Sequence, residues 1–73
     1  MKNYHLTPNG NRWDFKEEGG AVISTYDTKS QALDGARRTV EREGGSLKIH
    51  RADGTFEEER TYPRSEDPVK SPG

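Results

Sequence analysis

The chain has 73 residues, 26% of them hydrophobic and 34% charged, and its 12 lysines and arginines nearly balance its 13 aspartates and glutamates. This length allows one small domain whose core is barely sufficient, and the near-zero net charge excludes a global field that would attract nucleic acid or anionic membrane. The absence of cysteine excludes disulfides and thiolate chemistry, and no apolar run reaches the length of a signal peptide or membrane span. We therefore expect a cytoplasmic protein without membrane contact.

Three short strands are predicted before the middle of the chain. Residues 3–7 alternate, with Tyr4 and Leu6 on one side, and the turn at 8–11 contains the Asn-Gly pair typical of hairpins. A second strand covers 12–17, with Trp13 and Phe15 on one face. After Gly19-Gly20, a third strand covers roughly 21–26. Its adjacent Val and Ile residues interrupt the alternation, so the pattern does not decide which face of this strand points inward.

An amphipathic helix is predicted between Thr28 and the Gly44-Gly45 pair. Thr28 suits the N-cap, since Gln31 three residues later completes a capping box, and a glycine suits the C-terminal cap. The apolar face spans about 100° of the helical wheel, while the opposite face is charged; the apolar residues are Ala32, Leu33, Ala36 and Val40. Gly35 interrupts the helix at a cost of about 1 kcal/mol relative to alanine.

Two further strands follow the helix. Residues 46–51 place Leu47 and Ile49 inward, and a turn containing Asp53-Gly54 leads into a strand over 55–60. This last strand carries three consecutive glutamates, which favours an edge position. Three prolines and no apolar period after residue 62 predict a flexible tail over 63–73, beyond a domain over 1–62.

The predicted architecture is an α+β domain in the order β-β-β-α-β-β, in which one helix packs on one face of a mostly antiparallel sheet of about five strands. The predicted core contains Tyr4, Leu6, Trp13, Phe15, Ile23, Ala32, Leu33, Ala36, Val40, Leu47, Ile49 and Phe56. Because so thin a core barely offsets the chain entropy lost on folding, we expect a homo-oligomer or a protein partner to cover exposed sheet surface.

No pattern in the sequence indicates catalysis, a metal site or a cofactor. No serine lies in a strand-turn-helix glycine elbow, and no phosphate-binding glycine loop is present. Paired glutamates do occur, but a chain this short has little room for the pocket that acid–base catalysis needs to separate their pKa values. His5 and His50 are expected on the polar sheet face, where they would approach each other if the first and fourth strands pair. Asp14 is a conceivable third ligand, but ordinary surface histidines are favoured.

Three segments together resemble a known family of short bacterial and phage proteins. They are Trp13-Asp14-Phe15-Lys16, residues 26–32 (YDTKSQA) and residues 44–54 (GGSLKIHRADG). The chain resembles the family catalogued as domain of unknown function 2188 over roughly residues 4–68, with Tyr62 and Asp67-Pro68 at matching positions beyond the last strand. The resemblance implies no activity, cofactor or catalytic residue.

We therefore expect a non-enzymatic accessory module that acts through protein contact, including self-association. The alternative is a nucleic-acid-binding domain that uses the polar sheet face, although Trp13 and Phe15 are expected to face the helix and so leave no stacking platform. The candidate interaction surface consists of His5, Arg12, Lys16, Lys48, His50 and Tyr62.

Overall fold

A computed structural model describes residues 2–63 and contains five strands and one helix. The elements are β1 (Lys2–Asn9), β2 (Arg12–Glu17), β3 (Val22–Tyr26), α1 (Lys29–Glu43), β4 (Gly45–His50) and β5 (Phe56–Tyr62). The α+β class and the predicted element order are confirmed. Most of the predicted tail lies outside the described residues.

The strands form a single sheet in the order β3-β2-β1-β4-β5. The β1–β4 pair is parallel and every other pair is antiparallel. The helix connects β3 to β4. It thereby returns the chain to the end of the sheet from which β4 can run parallel to β1, since a parallel pair requires such a long crossover connection. The predicted edge position of the glutamate-rich last strand is confirmed, and β3 forms the other edge.

The helix begins and ends as the sequence predicts. The hydroxyl of Thr28 accepts a hydrogen bond of 3.1 Å from the backbone N–H of Gln31, and the N–H of Gly44 donates to the carbonyl of Val40 at 2.7 Å. Ala32, Ala36 and Val40 are fully buried against the sheet. Because two of these three are alanines, the buried face of the helix consists mainly of small side chains.

The core lies between α1 and the inner face of the sheet. Tyr4, Leu6, Phe15, Leu47 and Ile49 come from the three central strands and are almost completely buried. The rings of Tyr4 and Phe15 stack with their centroids 5.4 Å apart. The rim of the core consists of partly buried side chains, namely Trp13, Tyr26, Leu33 and Tyr62. The prediction that Trp13 faces the helix is confirmed.

Gly35 is explained by a neighbouring side chain. A Cβ at this position would lie 2.2 Å from the Tyr26 hydroxyl oxygen and 2.7 Å from Cζ of the same ring. Tyr26 therefore crosses α1 in the space that the missing side chain leaves. A residue that the sequence indicates as a weak point of the helix is a packing requirement in the fold.

The expected burial of Ile23 and Phe56 is wrong, since they are 48% and 52% exposed. The register of β2 with β3 shifts between Phe15 and Lys16, which pair with Ser24 and Val22, so Ile23 is an extra residue in a bulge. A similar shift in the β4–β5 pairing places Phe56 opposite His50 and leaves Glu57 between pairs. Each bulge reverses which face the strand's next residues occupy, so extrapolated alternation fails there.

Within residues 2–63, α1 lacks the length and apolar character that a helix needs to cross a membrane.

Candidate interaction surface on the open sheet face

The sheet surface opposite α1, which we call the open face, carries a row of basic and titratable side chains across its centre. Backbone pairing places His5 beside Lys16 on one side and beside Lys48 on the other. Directly paired residues of neighbouring strands point to the same face about 5 Å apart. Lys16, His5 and Lys48 therefore form a continuous basic row, which Val22 of β3 and Glu59 of β5 flank.

Glu18, in the turn after β2, places its carboxylate on this row. Its Oε1 lies 2.9 Å from Nε2 of His5 and 3.6 Å from Nζ of Lys48. The hydrogen bond from His5 and then the charge of Lys48 hold the pKa of the Glu18 carboxyl below its ordinary value of 4.5. The row thus binds a carboxylate in its ionised form.

His5 also contacts His50, as expected if the first and fourth strands pair. Nδ1 of His5 and Nε2 of His50 are 3.1 Å apart, and Nδ1 of His50 lies 3.2 Å from the carbonyl oxygen of Gly54. The His50 ring meets the Phe56 ring edge to face, with centroids 6.1 Å apart. We call the linked groups Glu18, His5, His50 and the Gly54 carbonyl the histidine chain.

The hydrogen-bonding capacity of the histidine chain follows from the hydrogens that its members carry. A carbonyl and a carboxylate only accept, so the three contacts need three N–H hydrogens from two imidazoles. Two neutral imidazoles carry two such hydrogens. Which of the ring nitrogens donates in each contact therefore depends on the tautomers of the two rings.

Two of the six predicted surface residues lie apart from this cluster. Arg12 stands at the far end of β2, paired with Asn9, and its guanidinium lies 3.1 Å from a carboxylate oxygen of Asp27. Tyr62 pairs with Gly45 and packs against the buried core on the α1 side of the sheet. Because β5 extends through residue 62, this ring lies on the opposite side of the sheet from the basic row.

The sequence interpretation misses Glu18 and Phe56 as neighbours of the histidines. Alternation places Phe56 inward, because the bulge in β5 leaves no signal in a pattern of apolar and polar residues. Glu18 is predicted only as part of a turn. Glu18 lies directly beside β1, where its backbone N–H donates to the Asn3 carbonyl. This position follows only from the register of the β1–β2 hairpin.

Asp14 does not join the two histidines. Its carboxylate accepts hydrogen bonds of 2.9 Å from Thr25 and 3.1 Å from Asn9, toward the β3 edge. Among residues 2–63, no three histidine or carboxylate side chains converge on a position for a cation.

A shallow depression of about 370 Å³ adjoins the row. Its lining includes His5, Thr7, Lys16, His50 and the glycine turn at 19–20. This depression is large enough for one extended side chain.

One family model matches most of the chain. It is described as an uncharacterised protein conserved in bacteria (DUF2188), and it matches residues 4–62, which include all of β2 through β5 and the row. No curated protein and no solved structure is significantly similar to the chain.

Proposed function

We propose that this chain, which belongs to the bacterial family of uncharacterised proteins called domain of unknown function 2188, is a non-enzymatic accessory module that binds a protein partner on its open face. The observation that carries the proposal is the one-sided cover of the sheet. The only helix among residues 2–63 packs on one face, and the other face gathers Lys16, His5, Lys48 and His50 within two neighbouring rows.

Charge and shape favour contact with a protein. Protein interfaces combine polar groups that fix orientation with apolar groups that are removed from water. The open face has both, because the half-exposed Val22 borders the row at the β3 edge and the half-exposed Phe56 lies beside His50 at the β5 edge.

Nucleic acid is the less favoured ligand. Single-stranded nucleic acid binds to positive grooves in which successive bases stack on exposed aromatic rings. On the open face Phe56 provides one such ring, while Trp13 packs against the core under α1. Glu18 also lies within the basic row and Glu59 ends it, so a polyanion crossing the sheet would meet carboxylates.

Affinity capture with matched charge-reversal variants tests the proposal. Lys16→Glu changes the open face, whereas Arg38→Glu makes the same charge change on the solvent side of α1, where Arg38 pairs with Asp34. We expect a specific protein to be captured by the wild type and by Arg38→Glu and lost with Lys16→Glu. Capture that both variants retain would contradict the use of the open face.

The salt dependence of binding separates the two ligand classes. Binding that weakens steeply with salt and disappears after nuclease treatment would favour nucleic acid over protein, since counterion release dominates that affinity. Self-association has its own readout in sedimentation velocity over a range of protein concentrations. The cytoplasmic location stays a prediction from the cysteine-free composition.

A further inference from the structure

The Glu18 carboxylate lies on the open face at a position where the surrounding basic side chains favour an anion. It contacts two of the three members of the basic row, His5 at 2.9 Å and Lys48 at 3.6 Å. The third member, Lys16, forms no ion pair within residues 2–63, although it lies directly beside His5. The row therefore provides more positive charge than its single internal carboxylate neutralises.

We propose that the basic row is a carboxylate-binding site that Glu18 occupies in the free protein, and that an acidic segment of a partner protein displaces Glu18 on binding. This inference rests on the proposed function and specifies the chemistry of the partner. Glu18 then acts as an internal competitor, which lowers the affinity of the row for unrelated anions.

Glu18 is suited to being displaced. Its side chain is 53% exposed, and Gly19-Gly20 follow it directly in the turn. Turning the carboxylate outward breaks only side-chain contacts, because the turn is held by backbone hydrogen bonds, from Glu18 N–H to the Asn3 carbonyl and from Gly20 N–H to the Glu17 carbonyl. The exposed pair is also screened by solvent, so its contribution is small enough for a partner to replace.

The dimensions of the row select a short acidic segment. Three neighbouring strands span about 10 Å from the first side chain to the third. That distance accommodates one or two carboxylates, and the adjoining depression of about 370 Å³ gives the incoming side chain room beside Lys16. Beyond Lys48 the row ends at Glu59, which repels a longer anionic ligand.

Charged and polar groups from two neighbouring strands face His5. These are Lys16 and Glu18 from the β2 side and Lys48 and His50 from β4, with Phe56 of β5 beyond His50. A bound carboxylate supplies the acceptor that the histidine chain needs at Nε2 of His5. The carboxylate of an acidic partner segment can therefore take the place of Glu18 at this nitrogen.

The experiment is an NMR titration of the ¹⁵N-labelled full chain with capped hexaglutamate, with capped hexaglutamine as the neutral control. We expect hexaglutamate to shift the amides around Lys16, His5 and Lys48 and hexaglutamine to leave them unchanged. Glu18→Gln removes the internal competitor and should bind hexaglutamate about two- to fivefold more tightly than the wild type. Glu41→Gln on α1 removes the same charge away from the row and should bind as the wild type does.

Equal affinity of hexaglutamate for Glu18→Gln and Glu41→Gln would overturn the proposal, as would shifts confined to α1 or no binding at all. Tighter binding of a DNA oligonucleotide than of hexaglutamate at the same salt concentration would overturn it in favour of a nucleic acid. Shifts at the row that appear with protein concentration alone would assign it to a second copy instead. If hexaglutamate fails while capture of a protein still depends on Lys16, this inference is wrong and the proposed function stands.

Discussion

Replacing Gly35 by alanine tests whether the fold packs Tyr26 across the helix. By helix propensity alone, alanine would stabilise α1 by about 1 kcal/mol. The added Cβ, however, would lie 2.2 Å from the Tyr26 hydroxyl oxygen and 2.9 Å from Cε1. Atoms this close cannot coexist, so the ring must leave its place.

The expected effect is the difference between these two contributions. Overpacking of this kind destabilises by about 1–3 kcal/mol. Subtracting the gain in helix propensity leaves a net loss of about 1 kcal/mol in the free energy of unfolding, within the range that the two principles allow. For a domain of this size, such a loss lowers Tm by about 4–8 °C.

A double-mutant cycle with Tyr26→Val makes the test specific. Valine also suits a strand such as β3, because it is β-branched, but it is too short to reach α1. In this background Gly35→Ala should therefore stabilise by about 1 kcal/mol. The coupling free energy between the two positions should be about 2 kcal/mol, measured by urea denaturation followed by circular dichroism.

The sign reversal is the decisive feature of this cycle. If Gly35→Ala raises stability by the same amount in both backgrounds, Tyr26 does not cross the helix at this position. The rim of the core between β3 and α1 would then be packed by other side chains.

Three further changes test other parts of the structure. Gly45→Ala should destabilise by at least about 2 kcal/mol in urea denaturation, because φ is +155° and a Cβ would lie 2.6 Å from the carbonyl oxygen of Lys2, which cannot rotate away; a loss below about 0.5 kcal/mol would contradict this. Phe56→Ser should change stability by less than about 0.5 kcal/mol, whereas Phe15→Ala should cost about 3–5 kcal/mol. Similar losses of stability for the two variants would indicate that Phe56 is a core residue after all. A pH titration followed by carboxyl ¹³C shifts should place the pKa of Glu18 below 4.5. Since this pKa is lowered in the folded state, the contribution of the Glu18 carboxylate to stability is present at neutral pH and lost as the pH falls through the folded pKa. An unshifted pKa would contradict the contact with His5.

The helix and the central strands were predictable because their local signals agree with one another. The N-cap at Thr28, the glycines after Glu43 and the spacing of Ala32, Ala36 and Val40 all act within a few residues of each other. Alternation located the inward residues of β1 and β4 for the same reason, since side chains of a regular strand point alternately to the two faces.

The edges of the sheet were not predictable in the same way. Ile23 and Phe56 lie at or beside bulges, and a bulge depends on how two distant strands pair. The role of Gly35 depends on a contact across nine positions of the chain, between a strand and a helix. Local periodicity does not carry information about either.

The candidate surface was predictable in composition but not in arrangement. Outward positions of β1, β2 and β4 supplied His5, Lys16 and Lys48 without a structure. That they stand side by side follows from the strand order, with β1 between β2 and β4. The contact of Glu18 with this row depends on the three-dimensional conformation of the turn, because a glutamate followed by two glycines is typical of a solvated turn.

Chemical-shift mapping with a captured protein partner tests most directly that the open face is where this protein binds. On adding the unlabelled partner to the ¹⁵N-labelled chain, we expect the largest amide shifts around His5, Lys16 and Lys48 and in the turn that carries Glu18. The amides on the solvent side of α1, including Arg38, should stay where they are. Shifts that follow α1 and leave the three central strands unchanged would contradict binding at the open face.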